Sequence, residues 1–505
     1  MNVVRLFDNH IERLGEHVLL WFEGRSFTNL QLNRMGCSLA TGLRKNGLGR
    51  GDHVAVCLPN IPEVPVTFQA IWRMGAVSVP VMFRLGVDEI RYILMHSDAK
   101  AVITSAELFE KIGEAGRGIE SLERVVLIGE EKKKGVLDYR SLVEQTPADD
   151  ALEPMEKDDV AQIIYTSGTT GKPKGVMLTH GNLAANAEGV WEAFEWKKGP
   201  VSLLCLPLAH AFGVSVMTAR ALSPFPEGFD VLMRWFDAEK TLKFIEAHRI
   251  THFTGVPTMY QMLLDQPHAD RYDTSSLEVC TIGGAPVSGK LHHAFTEKYG
   301  CRLSPGYGLT EASPGVASCR PGRPSKPGSC GIPNFNVEVG IMDQKDRVLP
   351  PFEQGEIVVR GPNVMKGYYK MPEETRQAVR EGWLHTGDVG YLDEEGFLYI
   401  TDRIKDLIIK GGYNIYPKEI EMLLEEHPAV QEAAVIGIPH VKYGEEVAAF
   451  VVLKQAHSLL EKEIIQYATS RMTAFKCPSR VSFVSSLPKT NTGKVMKKKL
   501  KDSAT

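Results

Sequence analysis

Between Leu30 and Leu303 a helix-patterned segment repeatedly runs straight into a short apolar strand, which restricts the chain to layered α/β architectures with parallel sheets. Leu30 to Asn46 has apolar residues at helical spacing, and Gly47-Leu48-Gly49-Arg50-Gly51-Asp52 ends it. His53 to Leu58 then reads as a strand. The same order returns at Leu242 to Phe253 and at Leu291 to Leu303. The longest apolar stretch, Val64 to Phe83, carries Arg73 at its middle, where hydrocarbon would least tolerate a charge. It reads as a buried helix (Pro65 to Met74) and a strand (Ala76 to Met82), and no membrane span is expected.

From Val337 the pattern changes to short β-like runs, Val337 to Ile341, Gly355 to Arg360 and Gly396 to Ile400. Past Asp402 it becomes a compact α+β pattern, with a helix at Pro417 to His427 and strands at Ala433 to Ile438 and Val447 to Leu453. A chain of 505 residues exceeds one ordinary core. The expected division is 1–402 and 403–505. The net charge of −4 gives no global pull toward nucleic acid or an anionic membrane. Eight scattered cysteines without a CxxC pair read as free thiols in a reducing compartment. The first residues show neither a signal-peptide core nor transit-peptide character, so the cytoplasm is the expected location.

The segment Tyr165-Thr166-Ser167-Gly168-Thr169-Thr170-Gly171-Lys172-Pro173-Lys174-Gly175 follows a strand-like run (Val160 to Tyr165) and precedes a helix beginning near His180. Small residues leave the backbone open, hydroxyls and N–H groups can donate to phosphate oxygens, and two lysines add positive charge. It is not a P-loop: two residues rather than four separate Gly168 from Gly171, and proline follows Lys172. A phosphate site of another class is expected.

This string resembles the phosphate-loop signature of the adenylate-forming superfamily, which includes acyl–CoA synthetases, hydroxycinnamate–CoA ligases, beetle luciferases and peptide-synthetase adenylation domains. The resemblance covers almost the whole chain. Gly283-Gly284-Ala285-Pro286, Gly306-Tyr307-Gly308-Leu309-Thr310-Glu311, Thr386-Gly387-Asp388, Asp402-Arg403-Ile404-Lys405-Asp406, Lys410-Gly411-Gly412-Tyr413-Asn414 and Pro488 to Lys494 follow in the family's order.

The resemblance implies a large N-terminal α/β domain of layered sheets with a distorted β-barrel, and a small mobile α+β C-terminal domain hinged near Lys405. It implies an ATP- and Mg²⁺-dependent ligase that joins a carboxylic acid to coenzyme A through an acyl adenylate, releasing AMP and pyrophosphate. Thr166 and Glu311 would hold Mg²⁺, and the loop from Ser167 to Lys174 would bind the phosphates. Tyr307 would stack on adenine beside Gly283, Gly284 and Ala285, with Gly308 and Thr310 in the same wall. Asp388 would accept the ribose hydroxyls and Arg403 would face ribose or phosphate. Lys494 would bridge carboxylate and α-phosphate, while its neighbours Lys497 to Lys499 read as surface lysines. Gly411, Gly412 and Tyr413 would line the pantetheine path.

By the same resemblance, His210, Phe212, Gly213, Val256, Gly284, Pro314 and Gly315 would line the acyl pocket, with His210 gating carboxylate entry. These residues offer no fixed cation or carboxylate, which favours an uncharged fatty, alicyclic or aromatic acid. Two other readings stay open, an enzyme that loads a carrier protein and a non-catalytic nucleotide-binding relative. No nucleic-acid partner is expected, and a homodimer is one of the assemblies left open.

Overall fold

The computed structural model of the chain describes all residues except 1, 131, 167–172, 322, 324, 456, 490–494 and 505, and the backbone alone at 504. Among the described residues the strands form four sheets. In the nine-stranded sheet, six strands run parallel in the order Arg302–Gly308, Val279–Ile282, His252–Gly255, Ser202–Leu204, Asp230–Leu232 and Val18–Phe22. Antiparallel strands flank them on both sides. The eight-stranded sheet has a parallel body through His53–Cys57 and Val77–Pro80, and its antiparallel end consists of Val160–Thr166, Lys174–Thr179 and Gly367–Tyr368.

The alternation read from the sequence is present. Helix Asn29–Lys45 precedes strand His53–Cys57, and helix Gly289–Tyr299 precedes Arg302–Gly308. Local chemistry sets the helix starts: Thr28 with Gln31, and Thr179 with Asn182, form capping boxes that satisfy backbone N–H groups at the first turn. The longest apolar stretch forms helix Glu63–Arg73 and strand Val77–Pro80. Arg73 is 2% exposed and its guanidinium lies 2.6 Å from Asp8 Oδ1, so the charge is buried with a partner.

The third sheet, formed by the short β-like runs read after Val337, is antiparallel and holds Glu338–Met342, Gly355–Arg360, Trp383–Leu392, Val379–Arg380 and Leu398–Arg403. A single turn, Ile404–Asp406, separates it from the fourth sheet. That sheet packs helices Pro417–Glu425 and Glu461–Thr469 around Ile408, Ile420, Val435, Val451 and Ile464. A smaller C-terminal α+β domain thus follows a large N-terminal domain of layered sheets. One expectation needs correcting. Lys497 is no plain surface lysine, because its ammonium lies 2.7 Å from the buried carboxylate of Glu421.

Candidate active site

Strands Val160–Thr166 and Lys174–Thr179 pair antiparallel, with Thr166 opposite Lys174, so the phosphate-loop segment starts and ends side by side. The residues between them, Ser167, Gly168, Thr169, Thr170, Gly171 and Lys172, lie outside the described residues, as does Lys494. Strand Gly367–Tyr368 pairs with Val176 and Met177. From it the Tyr368 hydroxyl donates to Glu311 Oε1 at 3.0 Å, and Lys174 Nζ sits 4.7 Å from the Tyr368 ring centre. Tyr368 therefore joins Lys174 to Glu311, although its only sequence signal is a Gly-Tyr-Tyr run.

Glu311 lies in the short helical turn Thr310–Ala312 after strand Arg302–Gly308. The buried Asn363 amide fixes this turn by donating to the carbonyls of Ala312 and Gly315 at 2.9 Å each. Ser313 Oγ donates back to the Asn363 carbonyl at 2.7 Å. Gly308 admits no side chain, since a Cβ there would collide with the Pro314 carbonyl.

The parallel pairing of Val279–Ile282 with Arg302–Gly308, which ends with Ile282 opposite Pro305, brings Gly283 against Gly306. A Cβ on Gly283 would lie 3.3 Å from the Gly306 carbonyl oxygen and 3.4 Å from the Phe212 ring. The Tyr307 hydroxyl donates to Asp388 Oδ2 at 2.6 Å, and Arg403 Nε lies 2.7 Å from Asp388 Oδ1. Burial first, then the adjacent Asp388 charge, raise the Tyr307 phenol well above its ordinary pKa, so it stays a donor.

On the apolar side, His210 Nδ1 accepts from the Phe212 N–H at 3.2 Å and caps helix Ala211–Arg220. Phe212 faces Gly283, and Gly284 (φ +79°) would place a Cβ 3.5 Å from Val256 Cγ1. Gly213 is glycine for packing, because a side chain would collide with the Pro207 carbonyl. Gly315 is crowded as well. Its N–H donates to Asn186 Oδ1 at 2.8 Å, and a Cβ would meet Asn334 Nδ2 at 2.9 Å and Val190 at 3.0 Å. Phe212, Val256, Gly283 and Gly284 are thus brought together next to Gly306, while Gly315, next to Pro314, packs against helix His180–Ala193.

Gly411 and Gly412 form the two-residue turn of a hairpin in which Lys410 pairs with Tyr413. Both have positive φ, +57° and +85°, as a twisted hairpin turn demands. The hairpin is held by residues further along the chain: the Gly411 N–H donates to the Tyr443 carbonyl at 2.8 Å, and the Tyr413 ring packs against Phe475.

Among the described residues, no three His, Cys, Asp or Glu side chains stand together as a metal site. The donors assigned from the sequence, the Thr166 hydroxyl and Glu311 carboxylate, are hard oxygen ligands. They fit Mg²⁺, which takes one or two protein ligands and completes its shell with water and phosphate. No described helix is long and apolar enough to cross a membrane.

The family model described as AMP-binding enzyme matches residues 7–369, and the AMP-binding enzyme C-terminal domain matches 419–494. A long-chain-fatty-acid–CoA ligase of Bacillus subtilis is 36% identical over 524 residues, covering 98% of this chain and 93% of the relative. A feruloyl-CoA synthase of an Amycolatopsis species is 39% identical over 475 residues, covering 94% and 93%. The solved structure of o-succinylbenzoate CoA synthetase from Bacillus subtilis, in complex with its acyl-adenylate intermediate, superposes with a TM-score of 0.85 at 30% identity over 98% of both chains. The ordered motifs, the layered fold and these relatives agree: the chain belongs to the AMP-binding enzymes of the adenylate-forming superfamily and is an acid–CoA ligase.

Proposed function

We propose that the enzyme activates an uncharged hydrophobic carboxylic acid, fatty, alicyclic or aromatic, as its acyl adenylate and transfers the acyl group to coenzyme A. One observation carries this reading: Gly283 lies against both the Phe212 ring and the carbonyl of Gly306, the residue before Tyr307 of the Tyr307–Asp388–Arg403 cluster. Polar and apolar groups so close together suit a nucleotide and the apolar acid joined to it.

In the first half-reaction a carboxylate oxygen attacks the α-phosphorus, and the bond to pyrophosphate breaks. Two anions meet, so Lys494 neutralises charge where carboxylate and α-phosphate join, Lys174 and the loop hold the outgoing phosphates, and Asp388 fixes the ribose. Magnesium, held by Thr166 and Glu311, would supply further screening of the phosphate charge. In the second half-reaction the CoA thiol attacks the acyl carbonyl and AMP leaves. We assign residues 1–402 and 403–505 to two domains. The smaller one turns about Lys405 to exchange Lys494 for the Gly411–Gly412 hairpin.

The test is pyrophosphate exchange and CoA-thioester formation across a panel of acids. Exchange should depend on acid and Mg²⁺ but not on CoA. Exchange that required CoA would rule out an enzyme-bound adenylate formed first.

A further inference from the structure

Helix Val87–His96 reaches the phosphate-binding segment at both of its described ends. Tyr92 and His96 are one helical turn apart on the same face, with rings stacked at 5.3 Å. The Tyr92 hydroxyl donates to the carbonyl of Pro173, the residue before Lys174, at 3.1 Å. His96 Nδ1 lies 2.8 Å from the hydroxyl of Tyr165, the residue before Thr166. Tyr369 braces the arrangement from the next strand: its N–H donates to the Gly175 carbonyl at 2.7 Å and its hydroxyl to Asp98 Oδ2 at 2.8 Å. Its ring also lies 6.0 Å from that of His96. Burial keeps the Tyr165 phenol protonated, and burial, then Lys370, lower the His96 imidazole. In the tautomer that leaves Nδ1 unprotonated, the phenol donates to this ring nitrogen.

We infer that Tyr92 and His96 are positioning residues for ATP: they fix Pro173 and Tyr165, and through them the adjacent Lys174 and Thr166, where those two side chains serve the phosphates. Neither touches substrate. The inference rests on reading Tyr165 to Gly175 as the phosphate site. Holding the residues that carry two ligand-binding side chains in place removes an entropic cost from binding and leaves later chemistry alone.

The experiment measures acid-dependent pyrophosphate exchange against ATP concentration for Tyr92→Phe, His96→Ala, His96→Asn, Tyr165→Phe and the double variant His96→Ala/Tyr165→Phe. Thioester formation from supplied acyl-AMP and CoA, and thermal midpoints, are measured alongside. A neutral hydrogen bond of this kind converts to a rise of about 3–10-fold in KM for ATP. That rise is expected for Tyr92→Phe, His96→Ala and Tyr165→Phe, with KM for the acid and the transfer half-reaction within about twofold of the parent. The double variant should be no worse than either single, because both remove one bond. His96→Asn, whose amide oxygen takes the place of Nδ1, should recover most of the loss. An unchanged KM for ATP, equal loss in both half-reactions, or additive losses in the double variant would overturn the inference. Parent enzyme that gave no exchange with any acid would instead remove the ligase reading on which it depends.

Discussion

Tyr307 and Asp388 are joined hydroxyl to carboxylate at 2.6 Å, and Arg403 takes the other oxygen of the same carboxylate at 2.7 Å. Both acceptor atoms assigned to the ribose therefore already hold one donor each, and an incoming ribose must share their remaining lone pairs or displace a donor. Asp388→Ala should raise KM for ATP by about 10–100-fold, the size of a hydrogen bond to a charged group. Tyr307→Phe keeps the ring and frees one oxygen, so KM should stay level or fall. Steady-state exchange kinetics decide: equal losses in the two variants would mean that the hydroxyl itself binds the nucleotide.

The two half-reactions should separate. Lys494→Ala should lose about 10²–10³ in acyl-AMP synthesis yet still convert supplied acyl-AMP and CoA to thioester. Gly412→Leu should accumulate acyl-AMP and fail at transfer. Because Gly412 has φ +85°, leucine also strains the hairpin, so Gly412→Asn, which tolerates that backbone, is the companion variant. Chromatographic separation of acyl-AMP and thioester reads both steps. Loss of both steps in both variants would point to one fixed active site.

The two pocket glycines should behave differently. Gly284 has open space up to Val256, so Gly284→Ala should narrow the preference toward smaller acids at a modest strain cost of about 1 kcal/mol. Gly315→Val would press on Asn186, Asn334 and Val190, so it should lower stability by about 1–3 kcal/mol and depress activity with all acids alike. Urea unfolding and an acid-length series distinguish the two. A Gly315→Val enzyme of normal stability that rejected only long acids would make Gly315 the channel wall.

Stability should fall with acid in a defined window. His252 is buried beside the nucleotide-wall strand, with Nε2 3.0 Å from Thr281 Oγ1. Burial, then Arg220, push its pKa down to about 3. The unfolded chain binds this proton near pH 6.5 and the folded chain refuses it until far lower. The unfolded state thus carries more protons, and stability declines as pH drops from about 6.5 toward 3, by at most about 1.4 kcal/mol per unit from this group. His252→Asn should reduce proton uptake on unfolding by about one, as read from urea midpoints against pH. An unchanged slope would show that the imidazole is charged in the folded protein.

Much of this architecture is legible from residue order. Alternating periodicities give the helices and strands of both large sheets because local burial patterns determine them, and the motif series gives the Tyr307, Asp388 and Arg403 cluster. Tyr368, Asn363, Tyr92 and His96 escape such a reading for one reason: each acts on a partner far away in sequence, as Tyr92 does on Pro173 and Tyr368 on Glu311. No spacing rule records a contact made by sheet pairing. Lys497 looked like one of several tail lysines until Glu421 supplied its partner. Glycines are legible in another way: Gly213, Gly308 and Gly412 also have reasons in packing or backbone angle, which a motif does not record.

Asp402 precedes the Ile404–Asp406 turn, yet its Oδ2 accepts from the Lys418 N–H at 2.8 Å, at the start of the helix beyond the turn. In the same helix, Glu421 holds Lys497. The start of helix Lys497–Ala504 is therefore coupled to helix Pro417–Glu425, and that helix is in turn bolted to Asp402, ahead of the Ile404–Asp406 turn. Any swing about Lys405 that moves Pro417–Glu425 away must first release this bolt. A helix-start hydrogen bond of this type is worth about 0.5–2 kcal/mol. If the smaller domain turns about Lys405 as proposed, Asp402 would act as a detent, biasing the population toward the arrangement seen here by roughly 2–30-fold.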